Sequence, residues 1–285
     1  ARHGAAATGR HEGRAVKLTV LVDNATIIDR YFLAEPAVSY LLEDGGARIL
    51  LDTGYSDVFL KNARAMGIDL SRVTDIVLSH GHNDHTGGLA AYFAAFPQTR
   101  VRLTACSKVF APRRDDAGLS IGSPLTQEAV RARAEIRLSD EPVRLSEHVT
   151  FLGRIPRRTD FEARSPIGVR LDDDGQWTGD LLPDDSALAL ETAEGLFLLL
   201  GCSHSGVCNI VLQVQALFPG VPVRGLLGGM HLMRLGAQAE KTVEFLRTLP
   251  LTALYPSHCT AFAVRAQMAQ TLPVRDVGVS MVLEL

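Results

Sequence analysis

Four cysteines, Cys106, Cys202, Cys208 and Cys259, are all that the 285 residues contain, and no two stand in a CxxC pair. Their scarcity excludes a disulfide-stapled scaffold and a Cys-rich zinc module, and leads to the expectation of a reducing, cytoplasmic compartment. An excess of one charge is also missing, since 29 Lys+Arg stand against 32 Asp+Glu for a formal net charge of −3. The basic footprint that phosphate-backbone binding needs is therefore absent, and no nucleic-acid partner is expected. No apolar run approaches the ~20 residues of a membrane span. The longest runs, residues 89–96 and 196–200, fit a buried helix and a buried strand, so no membrane partner is expected either. Residues 1–15 lack the apolar segment of a secretory signal and read as a flexible N-terminal lead.

What the chain does have is a 46% hydrophobic content, enough to bury a sizeable core at this length. Short β-like runs alternate with helical ones. Residues 17–22, 37–42 and 48–51 read as strands, the last two joined by the Glu43-Asp44-Gly45-Gly46 turn. Residues 56–66 are helical in character, 75–78 (DIVL) form a buried-strand run, and 89–96 make a helix that stops before Pro97. Further strands are expected at 101–104 and 149–152. After Pro183 the order is strand 187–191, strand 196–200, helix 207–217, strand 223–227, helix 240–246 and strand 253–255. The charged segment 113–141 and the polar turn 172–175 do not read as linkers; residues 113–133 fit a plain surface excursion or a lid. The simplest architecture is an α/β sandwich of two similar halves, sheet against sheet with helices outside, forming one domain over residues 16–285.

The chemistry concentrates where strands end. Ser79-His80-Gly81-His82-Asn83-Asp84-His85-Thr86-Gly87-Gly88 follows the DIVL strand and precedes a helix. In an extended loop His80 and His82 can face one metal ion, while Asp84 and His85 diverge toward a second. Imidazole nitrogen with carboxylate oxygen suits Zn²⁺, with Mn²⁺ or Fe²⁺ as alternatives. Three more histidines follow apolar strands: His204 in GCSHSG, His231 in GGMH and His258 in PSHCT. Six of the nine histidines thus sit at strand ends, a pattern better explained by convergence than by six separate structural roles.

His80-Gly81-His82-Asn83-Asp84-His85 resembles the HxHxDH motif of the metallo-β-lactamase superfamily, and Leu51-Asp52-Thr53-Gly54 resembles the strand-turn that precedes it. The likeness covers nearly the whole chain from Val16. The phrases LVDN, LDTG, LSHGHNDHTGG, PDDSAL, GCSHSG, GGMHL and PSHCT are similar to the dihydropterin-ribofuranosylaminobenzene-phosphate synthase-like subgroup of metal-dependent hydrolases. The resemblance implies an αββα sandwich with mixed sheets and a site for two divalent ions. It places His80 and His82 at the first ion, Asp84 and His85 at the second, and His258 as the late histidine completing the second.

Two departures from the superfamily pattern stand out. Pro183-Asp184-Asp185 occupies the place of a usual His, and Cys202 that of a usual Asp, so His204 is expected to supply the missing ligand. Cys202 either ligates or packs beneath the ions, the second being preferred. Asp184 and Asp185 remain open as ligands, orienting groups or turn residues, and Asp52 is expected to orient a ligand from behind.

The implied activity is hydrolysis of a small-molecule ester by a metal-activated hydroxide, with Asp84 handling the water and His231 contacting substrate or donating a proton. A phosphate ester or pterin-like phosphate is the first substrate class, with Arg157 and Arg158 as candidate phosphate ligands. A lactone or carboxylic ester is the second. A non-catalytic metal-binding regulatory module is the reading from another class, and electron transfer through a di-iron site is set aside because no flavin-binding segment follows. A homodimer is left open. Trp177 is expected in the core or lining a pocket, and Met230 and Met233 as packing residues or pocket flanks.

Overall fold

Strand alternation decides how the layers stack. In Lys17–Val22, Ser39–Asp44 and Ala47–Leu51, the side chains of Leu18, Val20, Tyr40, Leu42, Ile49 and Leu51 point one way, and Leu21, Leu41 and Leu50 the other. The period of two that produces this is intrinsic to a pleated strand. The computed structural model describes residues 16–285, and the expected N-terminal lead, 1–15, lies outside the described residues.

The first set meets Val149, Phe151, Leu188, Leu190 and Leu199 of a second sheet in a shared middle core. The second set packs under helices Val58–Ala65 and Leu89–Ala95 through Phe59, Ala63, Leu89, Tyr92 and Phe93. On the far side Ala187, Ala189, Leu196 and Leu198 pack against Val207, Ile210, Val211 and Val214 of helix Val207–Leu217. Helix Ala237–Arg247 adds Ala239, Val243 and Leu246 to the same layer. The result is the αββα sandwich. Each fully buried Leu, Val or Phe contributes roughly 1.5–3 kcal/mol relative to exposure.

The seven-stranded sheet runs Val282–Glu284, Lys17–Val22, Ser39–Asp44, Ala47–Leu51, Asp75–Val77, Val101–Ala105, Ala134–Leu138. Its first four strands are antiparallel and the rest parallel. The six-stranded sheet runs Ala253–Ser257, Val223–Gly229, Gly195–Leu200, Ala187–Thr192, Val149–Phe151, Val143–Arg144, with the first three strands parallel. Parallel strands share one end, so the carboxyl ends in each sheet gather on one side.

Expected elements recur with small boundary shifts. Helix Val207–Leu217 coincides with its predicted range, and the first hairpin pairs Asp44 with Ala47 across the expected turn. The helix start is built by a residue with no local signal: the buried Glu162 carboxylate accepts the N–H groups of Cys208 and Asn209 at 3.0 Å each. An anion there opposes the helix dipole and contributes up to ~2 kcal/mol. Glu162 comes so close to Gly206, at φ 98°, that a side chain at position 206 would collide with it.

The segment 113–141 departs from the surface excursion expected at its start. Arg113–Arg114 joins a three-stranded sheet with Val169–Leu171 and Trp177–Gly179, and the Arg113 side chain is completely buried. Its charge is met by Asp180 and Asp184. Trp177 is neither core nor pocket lining; it lies partly exposed with the Arg114 guanidinium 4.4 Å from its ring centroid, a cation–π contact. Helix Phe262–Met268 adds Val264 and Met268 to the core beneath helix Val207–Leu217.

Candidate metal centre

Both sheets deliver their parallel strand ends to one place. Ala47–Leu51 leads into Asp52, Asp75–Val77 into the loop 79–88, Gly195–Leu200 into Cys202 and His204, Val223–Gly229 into His231, and Ala253–Ser257 into His258. The turns are sharp enough that Asp52, Ser203, His231 and His258 adopt left-handed φ values of 57°, 58°, 45° and 49°. Each such non-glycine residue costs of order 1–3 kcal/mol, and strain of this kind clusters at functional sites.

Among the described residues, seven side chains form two donor groups. His80, His82 and His204 make the first; Asp84, His85, Cys202 and His258 make the second. Within each group one ligand atom per residue lies within 4.8 Å of every other. The rings of the first group stand 4.7–5.0 Å apart by centroid. In the second, Cys202 Sγ lies 3.1 Å from His85 Nε2, and Asp84 Oδ2 lies 3.3 Å from His258 Nε2. Cys202 thus stands among the donor atoms, where the sequence reading prefers it packed beneath them.

The polar bookkeeping of the site fits a cation. His82 Nε2 and both ring nitrogens of His204 are buried and find no hydrogen-bond partner among the described residues. Orphaned polar atoms in a low-dielectric interior cost about 1–3 kcal/mol each, which a coordinated ion offsets. Burial, reinforced by neighbouring histidines, holds His80 and His204 far below the ordinary imidazole range. Burial likewise takes His82 down to about 4. Neutral rings are the ones that carry a lone pair for a metal.

In the second group burial would lower His85, but the Asp84 and Asp52 carboxylates prevail and raise it to about 9. Burial would raise Asp84, yet the charges of His85 and His258 hold it well below its usual value.

Behind the donors stands a layer of orienting partners. Asp52 accepts from Ser79 N at 2.7 Å and Ser79 Oγ at 2.6 Å, and lies 2.7 Å from His85 Nδ1. Ser79 Oγ is 3.0 Å from His80 Nδ1, and Asn24 Oδ1 is 2.8 Å from His258 Nδ1. Such partners fix ring orientation and tautomer. Asp184 Oδ2 accepts the Gly81 N–H at 2.9 Å, while its other oxygen takes Arg113. Position 81 must be glycine, because a Cβ there would meet the Val109 carbonyl at 1.9 Å. Asp185 accepts from the backbone and hydroxyl of Ser205, and burial raises its carboxyl to about 6. Neither aspartate stands among the donor groups.

Asn24, Ser79 and Arg113 are the residues that motif reading overlooked. The phrase LVDN contained the first, without any local feature to show that Asn24 meets His258 across 234 positions. Arg157 and Arg158 are not brought to the site. Arg157 donates to the carbonyls of Ala163 and Leu181, Arg158 to Leu212 O and Gln213 Oε1, and neither lines the cavity above the donors.

That cavity holds about 500 Å³ and is lined by His82, Asp84, Cys202, His204, His231 and His258 together with several apolar side chains. The His231 ring lies tilted against His204 with centroids 4.4 Å apart, and burial lowers its basicity. Met233 flanks the cavity while Met230 is buried in the core.

The profile of the Metallo-beta-lactamase superfamily matches residues 34–258. A 7,8-dihydropterin-6-methyl-4-(beta-D-ribofuranosyl)-aminobenzene-5'-phosphate synthase of Methanocaldococcus jannaschii is 28% identical over 263 residues, 87% of this chain and 88% of that protein. The solved structure of a metal-dependent hydrolase of the beta-lactamase superfamily superposes with a TM-score of 0.81 at 28% identity, covering 95% of this chain and 99% of the other. Zn(2+)-bound PqqB from Methylobacterium extorquens shares the fold at 11% identity and a TM-score of 0.54, over 94% of this chain and all of that one.

Proposed function

The chain belongs to the metallo-β-lactamase superfamily, and from that premise we propose that it is a metal-dependent hydrolase of a small-molecule ester. The observation that carries this reading is the convergence of seven donor side chains into two adjacent groups at the floor of one cavity. Two divalent ions fit there, zinc first: the first group offers three neutral imidazoles, the second two imidazoles, a carboxylate and a thiol. Bound at these groups, such ions supply Lewis acidity and a nucleophilic water at neutral pH.

The residues around them have distinct tasks. Asp84, partly exposed to the cavity and 3.3 Å from His258 Nε2, is suited to orienting a water by accepting a hydrogen bond from it at its carboxylate. His231 faces the same space with a readily deprotonated ring, suited to passing a proton to a leaving-group oxygen. Asp52, Ser79 and Asn24 hold the donor rings in place. The donors come from both halves of the chain, which supports reading residues 16–285 as one domain. The four cysteines are all free thiols, in keeping with a reducing, cytoplasmic compartment. Among the described residues no helix is long and apolar enough to cross a membrane.

A phosphate ester or pterin-like phosphate is the first substrate class, supported by the name of the methanogen relative. A lactone or carboxylic ester is the second, favoured because no lysine or arginine among the described residues lines the cavity. Metal analysis of protein purified without chelators, followed by stripping and re-addition while phosphomonoester, phosphodiester and lactone hydrolysis are followed, tests the proposal. Two ions per chain and turnover that vanishes and returns with the metal are expected. Activity that survives stripping would end the hydrolase reading as stated; bound metal with no turnover on any substrate would favour a non-catalytic module.

A further inference from the structure

The cavity walls above the donors are built from apolar side chains: Pro36, Tyr55, Ile121, Ile167 and Met233. Two of them are conspicuously uncovered, Tyr55 at 56% and Met233 at 63% exposure. A contiguous apolar wall rimmed by polar groups is the arrangement of a ligand-binding groove. Three of these side chains, Tyr55, Ile121 and Ile167, ride on hydrogen-bonded backbone. The Tyr55 and Ser56 N–H groups both donate to Glu35 Oε1, at 2.9 and 3.2 Å. Asn83 N donates to Ile121 O at 2.9 Å, and Ile167 N to Asp180 O at 2.8 Å. Met233 follows Leu232, which bridges Thr260 beside the His258 ligand position. Pinned backbone carrying open apolar side chains is how a preformed ligand pocket is made.

Resting on the hydrolase reading, we propose that this wall is an aryl-binding subsite, so that the substrate is an ester whose flat, uncharged ring lies between Tyr55 and Met233. Among the described residues, no lysine or arginine lines the cavity, which adds a second half to the assignment. The anion or carbonyl of the substrate is read at the donor groups, and the remainder of the substrate carries no further phosphate. Arg234, in the adjoining groove that shares His231 and Met233, stands outside this contact. A thioether against a ring and a phenol stacked on a ring are each favourable beyond the area they bury.

The test is calorimetric binding of phenylphosphonate and methylphosphonate to the zinc-loaded full chain. Phenylphosphonate should bind at least about tenfold more tightly. Tyr55→Ala and Met233→Ala should each reduce that ratio severalfold with zinc content unchanged, Tyr55→Phe should keep it, and Arg234→Ala should leave both affinities as they are. Equal binding of the two phosphonates, or a ratio indifferent to both alanine variants, would overturn the subsite. So would a tenfold loss for both ligands in Arg234→Ala. Phosphonates are not turned over, so a preserved ratio in a protein that cleaves no ester would fail the hydrolase reading and leave the subsite standing.

Discussion

The two ends of the sandwich use the same residue types to opposite purposes. At the turn end, Asp44 accepts from Ser146 Oγ at 2.6 Å and from His148 N at 2.8 Å, and lies 2.9 Å from His148 Nδ1. Strand Ser39–Asp44 of one sheet is thereby clasped to the edge hairpin of the other. Every polar atom named there has a partner. At the opposite end, reached by following Ala47–Leu51 to Asp52, buried imidazole nitrogens of His82 and His204 are left without one. A histidine whose ring nitrogen is closed by a carboxylate is structure; one that leaves buried ring nitrogens without a partner beside other donors is a binding site. Hydrogen-bond satisfaction is what separates the two cases.

This comparison can be broken at several points. The largest effect is expected from His204→Ala, which removes a donor with no compensating partner. The first ion should be lost, with turnover falling by more than the roughly 10–100-fold that removing a ligand's partner costs. The melting temperature of the metal-free variant should not fall, because the orphaned ring is gone. A markedly less stable metal-free variant would place His204 with the structural histidines.

Next come the orienting groups. Asp184→Asn or Asn24→Ala should weaken zinc binding by roughly 10–100-fold in a chelator competition. The matched control is Asp180→Asn, which also disturbs Arg113 but does not touch Gly81. It should lose stability and keep zinc affinity; equal zinc loss in both aspartate variants would refute a specific role for Asp184.

At the turn end the sign reverses. Burial pushes the Asp44 carboxyl up, but hydrogen bonds from Ser146 and His148 outweigh it and hold the group below its ordinary value. A depressed carboxyl stabilises the fold above its unfolded pKa, and that stability is lost as pH falls through the folded value. Asp44→Asn should therefore cost about 1–2 kcal/mol at neutral pH. The gap to the parent in urea titrations should close as the pH drops below about 4, and zinc affinity should be untouched. A gap independent of pH would show that charge is not what Asp44 contributes. The smallest effect belongs to His148→Ala, whose side chain is 27% exposed and so screened. It should cost under about 1 kcal/mol.

How much of this was readable in advance follows from the range of each interaction. Strands, the exact helix at Val207–Leu217 and the His-rich strand ends were legible because periodicity and spacing are local properties. Arg113 was not, since a charged residue in a charged stretch carries no sign that two aspartates some 70 positions away, Asp180 and Asp184, will enclose it. Glu162 and Asn24 escaped for the same reason, their partners lying 46 and 234 positions off. Arg157 and Arg158 show the converse. A basic pair reads as phosphate-binding until the fold assigns its donors to carbonyls of the chain itself.

The hydrogen bond from Gly81 to Asp184 joins residues 103 positions apart, and His85 meets Cys202 across 117. Contacts of that span close long loops, and the entropy of closing them must be offset by the surrounding structure. The donor groups therefore come into register only when both sheets, and the Arg113 segment that steadies the histidine loop, have docked. An ion that binds the finished arrangement draws the folding equilibrium toward it in proportion to its free concentration. Zinc uptake in a refolding experiment would then mark the last step of assembly, and a chain arrested with either sheet unformed would have no binding site to fill.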